Sequence, residues 1–244
     1  MWGIMPSYWI TSEQKLREFN ARNNPRPHFP AYHALKIYLC LIYFNARIIR
    51  ENDDDIAINY CLPTYTELEE KSFTARGDIK SALNFLRDRG LINYSRRGHR
   101  NYYQILGDKK RGWAKVPDLI FDNKSLQLLA LRPSSVEQTR RFYISLDALK
   151  IYFLFLAFRQ QIDNRARGIH YHYITNHTGV QRNNIKQAIS LLAEADLITS
   201  ENSYVPDLEA EGEYQVGTNV YFINHLRQYH ANRNLIPRDW AQAR

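Results

Sequence analysis

The chain has 244 residues, 44% of them apolar, enough for one large domain or two small ones with real cores. Its net charge of +8 is uneven, because residues 1–116 carry 19 Lys and Arg against 12 Asp and Glu, while residues 117–244 carry 14 against 13. Two cysteines exclude a disulfide framework, and the apolar runs Ile37–Phe44 and Ile151–Phe158 fall far short of the roughly 20 residues that cross a bilayer.

Taken in chain order, MWGIMPSYWITSEQ lacks a basic segment followed by an apolar run and a small-residue cleavage site, so a cytoplasmic location is the default expectation. Thr11 or Ser12 is placed to cap a helix running to Arg22, with Leu16 and Phe19 on one side. Alternatively, RNNPRPHFP (22–30) forms an extended arm. HALKIYLCLIYF (33–44) is apolar on nearly every side, as suits a central helix covered by its neighbours. Asp53, Asp54 and Asp55 read as a solvated acidic loop, since consecutive side chains diverge too much to share a metal. Ile79, Ala82, Leu83 and Leu86 stand at i, i+3, i+4 and i+7, an amphipathic helix that Gly90 ends. LINYS, RRGHR and NYYQIL then read as strand, basic turn, strand. From Tyr94 to Lys115 seven cations face Asp108 alone, which implies either a polyanionic partner or a solvated surface. GDKKRGWAKVP (107–117) has the Gly, Lys and Pro content of a basic linker.

The second half repeats the first. DALKIYFLFLAF (147–158) matches HALKIYLCLIYF at six of twelve positions, and RNNIKQAISLLAEADLI (182–198) matches RGDIKSALNFLRDRGLI (76–92) at seven of seventeen. PSYWIT (6–11) and PDLIFD (117–122) are a weaker echo. Order and spacing are kept, so a unit of about 110 residues occurs twice. The expected fold is mainly α with small β-hairpins (α+β), in two domains related by internal duplication: 1–106 with an N-terminal extension, the linker 107–117, and 118–244 with an acidic loop and a C-terminal helix from HLRQYHANRN.

TNHTGVQRNNIKQAISLLAEADLI resembles the helix-turn-helix of winged-helix DNA-binding proteins, with Gly179 and Val180 in the turn and Ile185, Ala188 and Ile189 at core positions. CLPTYTELEEKSFTARGDIKSALNFLRDRGLINYSRRGHRNYYQIL resembles the winged-helix modules of plasmid and phage replication proteins and of transcription regulators, with Phe73 where the turn glycine is expected. The resemblance implies two tandem winged helices, each with a recognition helix and a hairpin wing.

A recognition helix offers its exposed face to the major groove, where Arg matches guanine and Asn or Gln matches adenine. In the second unit those positions are Gln181, Arg182, Asn183, Asn184, Lys186 and Gln187. In the first they are Arg76, Lys80, Ser81 and Asn84, with Asp78 accepting from cytosine or holding Arg76. The competing reading is that helix starts collect such residues as caps and polar surface. The wing tip Arg96, Arg97, Gly98, His99, Arg100 suits a minor groove or phosphate strand, and Lys109, Lys110 and Arg111 extend the basic surface. The corresponding loop of the second unit (201–219) carries Glu201, Asp207, Glu209, Glu211 and Glu213, which phosphate repels; it is either solvated or faces a protein partner.

His170, His172 and His177 resemble the His-hydrophobe-His motif of nicking endonucleases, but the repeat aligns His170 and His172 with Thr64 and Thr66, so polar histidines are expected and no metal. Phosphate-cradling loops, nucleophile elbows and dinucleotide fingerprints are missing from the sequence. The expectation is a non-enzymatic protein without cofactors, bound to double-stranded DNA. Transcription regulation comes first, replication initiation at repeated plasmid or phage sites is the alternative, and a DNA-bound adaptor whose second unit binds protein is a further one. The amphipathic terminal pieces are expected to offer a homodimer contact.

Overall fold

Each apolar stretch of the duplication becomes a long helix, and the other elements assemble around the pair. The computed structural model describes residues 2–20, 30–51, 60–107, 111–121, 125–129, 136–160, 164–166, 169–203 and 218–226. Strand β1 (Trp2–Pro6) and the one-turn helix α1 (Tyr8–Thr11) precede the long helix α2 (Pro30–Glu51). A short strand β2 (Tyr60–Cys61), helices α3 (Tyr65–Ser72) and α4 (Arg76–Asp88), and the hairpin β3 (Ile92–Arg97) and β4 (Arg100–Ile105) complete the first unit. The second follows the same order: β5 (Trp113–Pro117), a 3-10 turn at Asp118–Phe121, α5 (Ser125–Leu128), α6 (Val136–Phe158), β6 (Arg165–Ala166), α7 (Tyr171–Thr178), α8 (Arg182–Glu194), β7 (Ile198–Ser203) and β8 (Thr218–Ile223).

The result is α+β, with eight helices and three small antiparallel sheets among the described residues. Two of those sheets have the same plan, β2-β4-β3 and β6-β8-β7. The amphipathic stripes Ile79, Ala82, Leu83, Leu86 of α4 and Ile185, Ala188, Leu191, Leu192 of α8 are buried, and α4 packs on α2 as α8 packs on α6.

The third sheet joins the halves. WGIMP and WAKVP, the two strands β1 and β5, pair antiparallel with Trp2 opposite Pro117, Ile4 opposite Lys115 and Pro6 opposite Trp113. Ile4 and Lys115 are the equivalent positions of the repeat, so a local two-fold axis passes through the centre of the ladder. Gly3 lets this ribbon lie against α2: a Cβ there would come within 2.7 Å of Ile42 Cγ2. The same exchange continues beyond the strands. Trp9 of the first unit packs against Phe153 of α6 (centroids 5.7 Å apart), and Phe121 of the second packs against Tyr43 of α2 (4.7 Å).

Buried residues of both units therefore form one continuous hydrophobic core. The segment expected as a linker, 107–117, is not a free connection, because Trp113–Pro117 is a sheet strand and Ser7 N donates to Gly112 O at 3.1 Å. The expected helix from Thr11 or Ser12 to Arg22 is also absent through residue 20. Thr11 instead ends α1, Gln14 takes a left-handed conformation (φ 50°), and a 3-10 turn, Lys15–Glu18, follows. Leu16 and Phe19, expected on one side of that helix, are buried by docking on the core from a bent segment. The arm expected at 22–30, apart from Pro30, together with Asp53–Asp55 and the expected C-terminal helix beyond Leu226, lies outside the described residues. Among the described residues no helix is long and apolar enough to cross a membrane.

Candidate nucleic-acid interface

The site is built on the turn between the two short helices of each unit. Thr64 starts α3 with a reciprocal capping box: its Oγ1 accepts from Glu67 N at 3.2 Å, and Glu67 Oε2 accepts from Thr64 N at 2.7 Å. His170 takes the equivalent place before α7. At the other end a buried hydroxyl shapes the turn in both units. Ser72 Oγ donates to Leu68 O (2.6 Å) and accepts from Thr74 N (3.2 Å), while Thr178 Oγ1 donates to Ile174 O (2.6 Å) and accepts from Val180 N (3.1 Å). Gly179 then reverses the chain at φ 69°, and Phe73 does so at φ 51°. A left-handed non-glycine residue costs about 1–2 kcal/mol, so the first unit makes the same turn against strain.

A buried lysine offsets that strain. Lys36, fully buried in α2, donates through Nζ to Phe73 O at 3.2 Å, placing its amine at the negative end of α3. Burial lowers its pKa to about 7, partly opposed by the nearby Cys40. Lys150 holds the equivalent place in α6 and is also buried, with a pKa lowered by burial to about 8. A further polar pair ties each long helix to the second helix of its turn: His33 Nε2 lies 3.7 Å from Asp78 Oδ2, and Asn184 Nδ2 donates to Asp147 Oδ2 at 2.8 Å. Sequence reasoning missed the three anchors His33 and Lys36 on α2 and Asp147 on α6, although a lysine repeated inside two apolar runs was a visible signal for the first of the two lysines.

The anchoring sorts the expected DNA-facing residues. On α8, Arg182, Asn183, Lys186 and Gln187 are exposed, as is Gln181 just before it. Asn184 is half-buried, and its amide is engaged with Asp147, which anchors α8 to α6. On α4, Arg76 and Lys80 are exposed. Arg76 also touches α3, with its guanidinium 5.9 Å from the Tyr65 ring and Nη1 3.4 Å from Thr66 Oγ1. Ser81 and Asn84 are half-buried: Ser81 Oγ donates to Asp78 O at 2.8 Å, and Asn84 Oδ1 accepts from Tyr94 OH at 2.7 Å. Asn84 thereby braces α4 against the hairpin.

At the hairpin tip Arg97 pairs with Arg100 across the two-residue turn Gly98-His99, and Gly98 supplies the positive φ (60°) that such turns require. Arg96, His99 and Arg100 are exposed, and Arg96 Nε donates to Gly98 O at 3.2 Å. Arg111 is exposed with its guanidinium 3.5 Å from the Tyr8 ring centroid, so it stacks on the N-terminal segment while its charge meets solvent. Lys109, Lys110 and the Arg97 side chain lie outside the described residues, as do Asp207, Glu209, Glu211 and Glu213 of the acidic loop. Of the histidines, His177 stacks on Tyr173 at 3.9 Å and His172 Nε2 lies 2.9 Å from Asn176 Nδ2.

The arrangement presents, in each unit, a rigid helix whose N-terminal exposed positions are long hydrogen-bonding side chains, and in the first unit a cationic hairpin braced to that helix. Comparison of the chain with protein-family models, with curated proteins and with solved structures finds no match.

Proposed function

We propose that this chain is a sequence-specific double-stranded DNA-binding protein made of two winged-helix modules that acts by binding and not by catalysis. The observation that carries this reading is the pair Arg76, Lys80 on α4 and Arg182, Asn183, Lys186, Gln187 on α8: exposed side chains at the starts of helices whose opposite faces are locked into the core. Rigid presentation is what base readout needs, since each bidentate contact is worth about 1–3 kcal/mol of discrimination when its geometry is held. The hairpin of Arg96 and Arg100 supplies backbone attraction that does not depend on sequence.

The first role proposed is transcriptional regulation. The second, replication initiation at repeated plasmid or phage sites, is favoured by one feature: two reading helices sit in one chain around one core, so a single protomer spans a bipartite site. Footprinting on the DNA upstream of the protein's own coding sequence separates these roles, with a single short palindrome supporting the regulator and an array of direct repeats the initiator. If about six phosphates are neutralised, log affinity falls against log salt with a slope of about −5. A slope near zero on every duplex tested removes nucleic acid as the partner.

A further inference from the structure

The two buried lysines occupy the same place in the repeat but not the same environment. Lys36 is spent on the turn carbonyl of Phe73. Lys150, also buried, makes no hydrogen bond among the described residues and lines a cavity of about 250 Å³ between the two units. The walls of that cavity include Arg17 from the N-terminal segment, Asp147 and Lys150 from α6, and Gly179 and Gln181 from the turn before α8. Its charged groups are Arg17, Lys150 and Asp147, and one oxygen of Asp147 is already taken by Asn184. Arg17 is held in place by donating Nη1 to Asn176 O at 3.2 Å.

A positively weighted cavity with a buried ammonium on its wall is complementary to an anion. At roughly 30 Å³ per water, its volume takes about eight waters or a ligand of similar atom count, below the roughly 300 Å³ at which drug-sized pockets begin. We infer that this cavity is a binding site for a small free oxyanion, phosphate or a short phosphorylated or carboxylated metabolite, gripped by Lys150 and Arg17. Burial lowers Lys150 to about 8, opposed by the carboxylate of Asp147 and reinforced by Arg17, so its ammonium is still largely charged at pH 7 and an anion between the two cations is favoured by both. The occupant touches Gly179 and Gln181, so it sets the position of the first turn of α8; that consequence for DNA rests on the proposed function, whereas anion binding does not.

Calorimetric titration of the full chain with inorganic phosphate, and separately with acetate, at constant ionic strength and without DNA tests the site. Saturable binding of either anion is expected, weakened at least tenfold in Lys150→Met and in the surface variant Arg17→Gln, and unchanged in Lys36→Met. Absence of saturable binding in the wild type, or wild-type affinity retained in Arg17→Gln and in Lys150→Met, overturns the assignment. Arg17 is exposed, so its variant keeps the test valid should Lys150→Met fold poorly. DNA affinity compared with and without phosphate then tests the link to α8, and equal values remove that link while leaving the site itself standing.

Discussion

Replacing Lys36 by methionine probes the buried amine that holds the first turn. Its side chain is fully buried, Nζ meets Phe73 O at 3.2 Å, and burial lowers its pKa from 10.5 to about 7. Because the folded value lies below the unfolded one, the unfolded chain binds more protons between these limits, and stability rises with pH through that window. At about 1.36 kcal/mol per unit, Lys36 contributes a gain of about 1.6 kcal/mol between pH 7 and 8.5, and Lys150, lowered to about 8, about 0.8 kcal/mol. The buried thiols of Cys40 and Cys61 are pushed up from 9.0 and oppose the trend, chiefly above pH 9, so the measurement stops at 8.5. Urea unfolding followed by tryptophan fluorescence across this range is expected to show the wild type gaining about 2.4 kcal/mol and Lys36→Met about a third of that. A variant that keeps the full wild-type rise refutes the assignment of the pH dependence to Lys36.

Other substitutions test the remaining parts. Arg182→Ala or Asn183→Ala is expected to reduce discrimination between cognate and altered duplexes by about 1–3 kcal/mol, whereas Arg96→Ala weakens all duplexes alike and reduces the salt slope by about 1; parallel effects in fluorescence anisotropy contradict that division. Gly3→Ala drives a methyl into Ile42 and is expected to lower stability by about 1–3 kcal/mol in chemical denaturation, with no loss meaning that the ribbon does not sit against α2. Trp9→Ala removes a ring that meets Tyr38 at 5.6 Å and Phe153 at 5.7 Å, and is expected to cost about 3–5 kcal/mol. Because the core is continuous, calorimetry of that variant and of the wild type is expected to give a single transition, and two resolved transitions would show that the halves unfold separately.

Much of the fold was legible because periodicity reports burial. The stripe Ile79, Ala82, Leu83, Leu86 located α4, its counterpart located α8, and RRGHR marked the hairpin turn, which falls at Gly98 and His99. The duplication was equally visible, but its consequence was not. WGIMP and WAKVP share a tryptophan and a proline at the same spacing, yet nothing local says that two such strands pair with each other, since pairing is decided by which surfaces of the long helices remain uncovered. Residues 107–117 therefore read as a linker although half of them form a strand. The Phe73 turn was obscured because its left-handed conformation is supported from α2, 37 residues away. Of the residues expected to face DNA, Arg182 and Asn183 are exposed, whereas Asn84 and Asn184 show that an amide suited to adenine is equally suited to a tyrosine hydroxyl or an aspartate, a choice that only the fold makes visible.

The symmetric ladder centred on Ile4 and Lys115 has an evolutionary reach. In a homodimer every substitution appears twice and both copies must tolerate it, and the pairing dissolves on dilution. Here the partners are covalently joined, so the arrangement survives at any concentration and each side drifts alone: Cys40 stands where the second unit has Leu154, His33 where it has Asp147, and Lys36 is bound to a turn carbonyl whereas Lys150 makes no hydrogen bond among the described residues. Asymmetry of this kind lets one polypeptide carry two differently lined surfaces at a fixed separation.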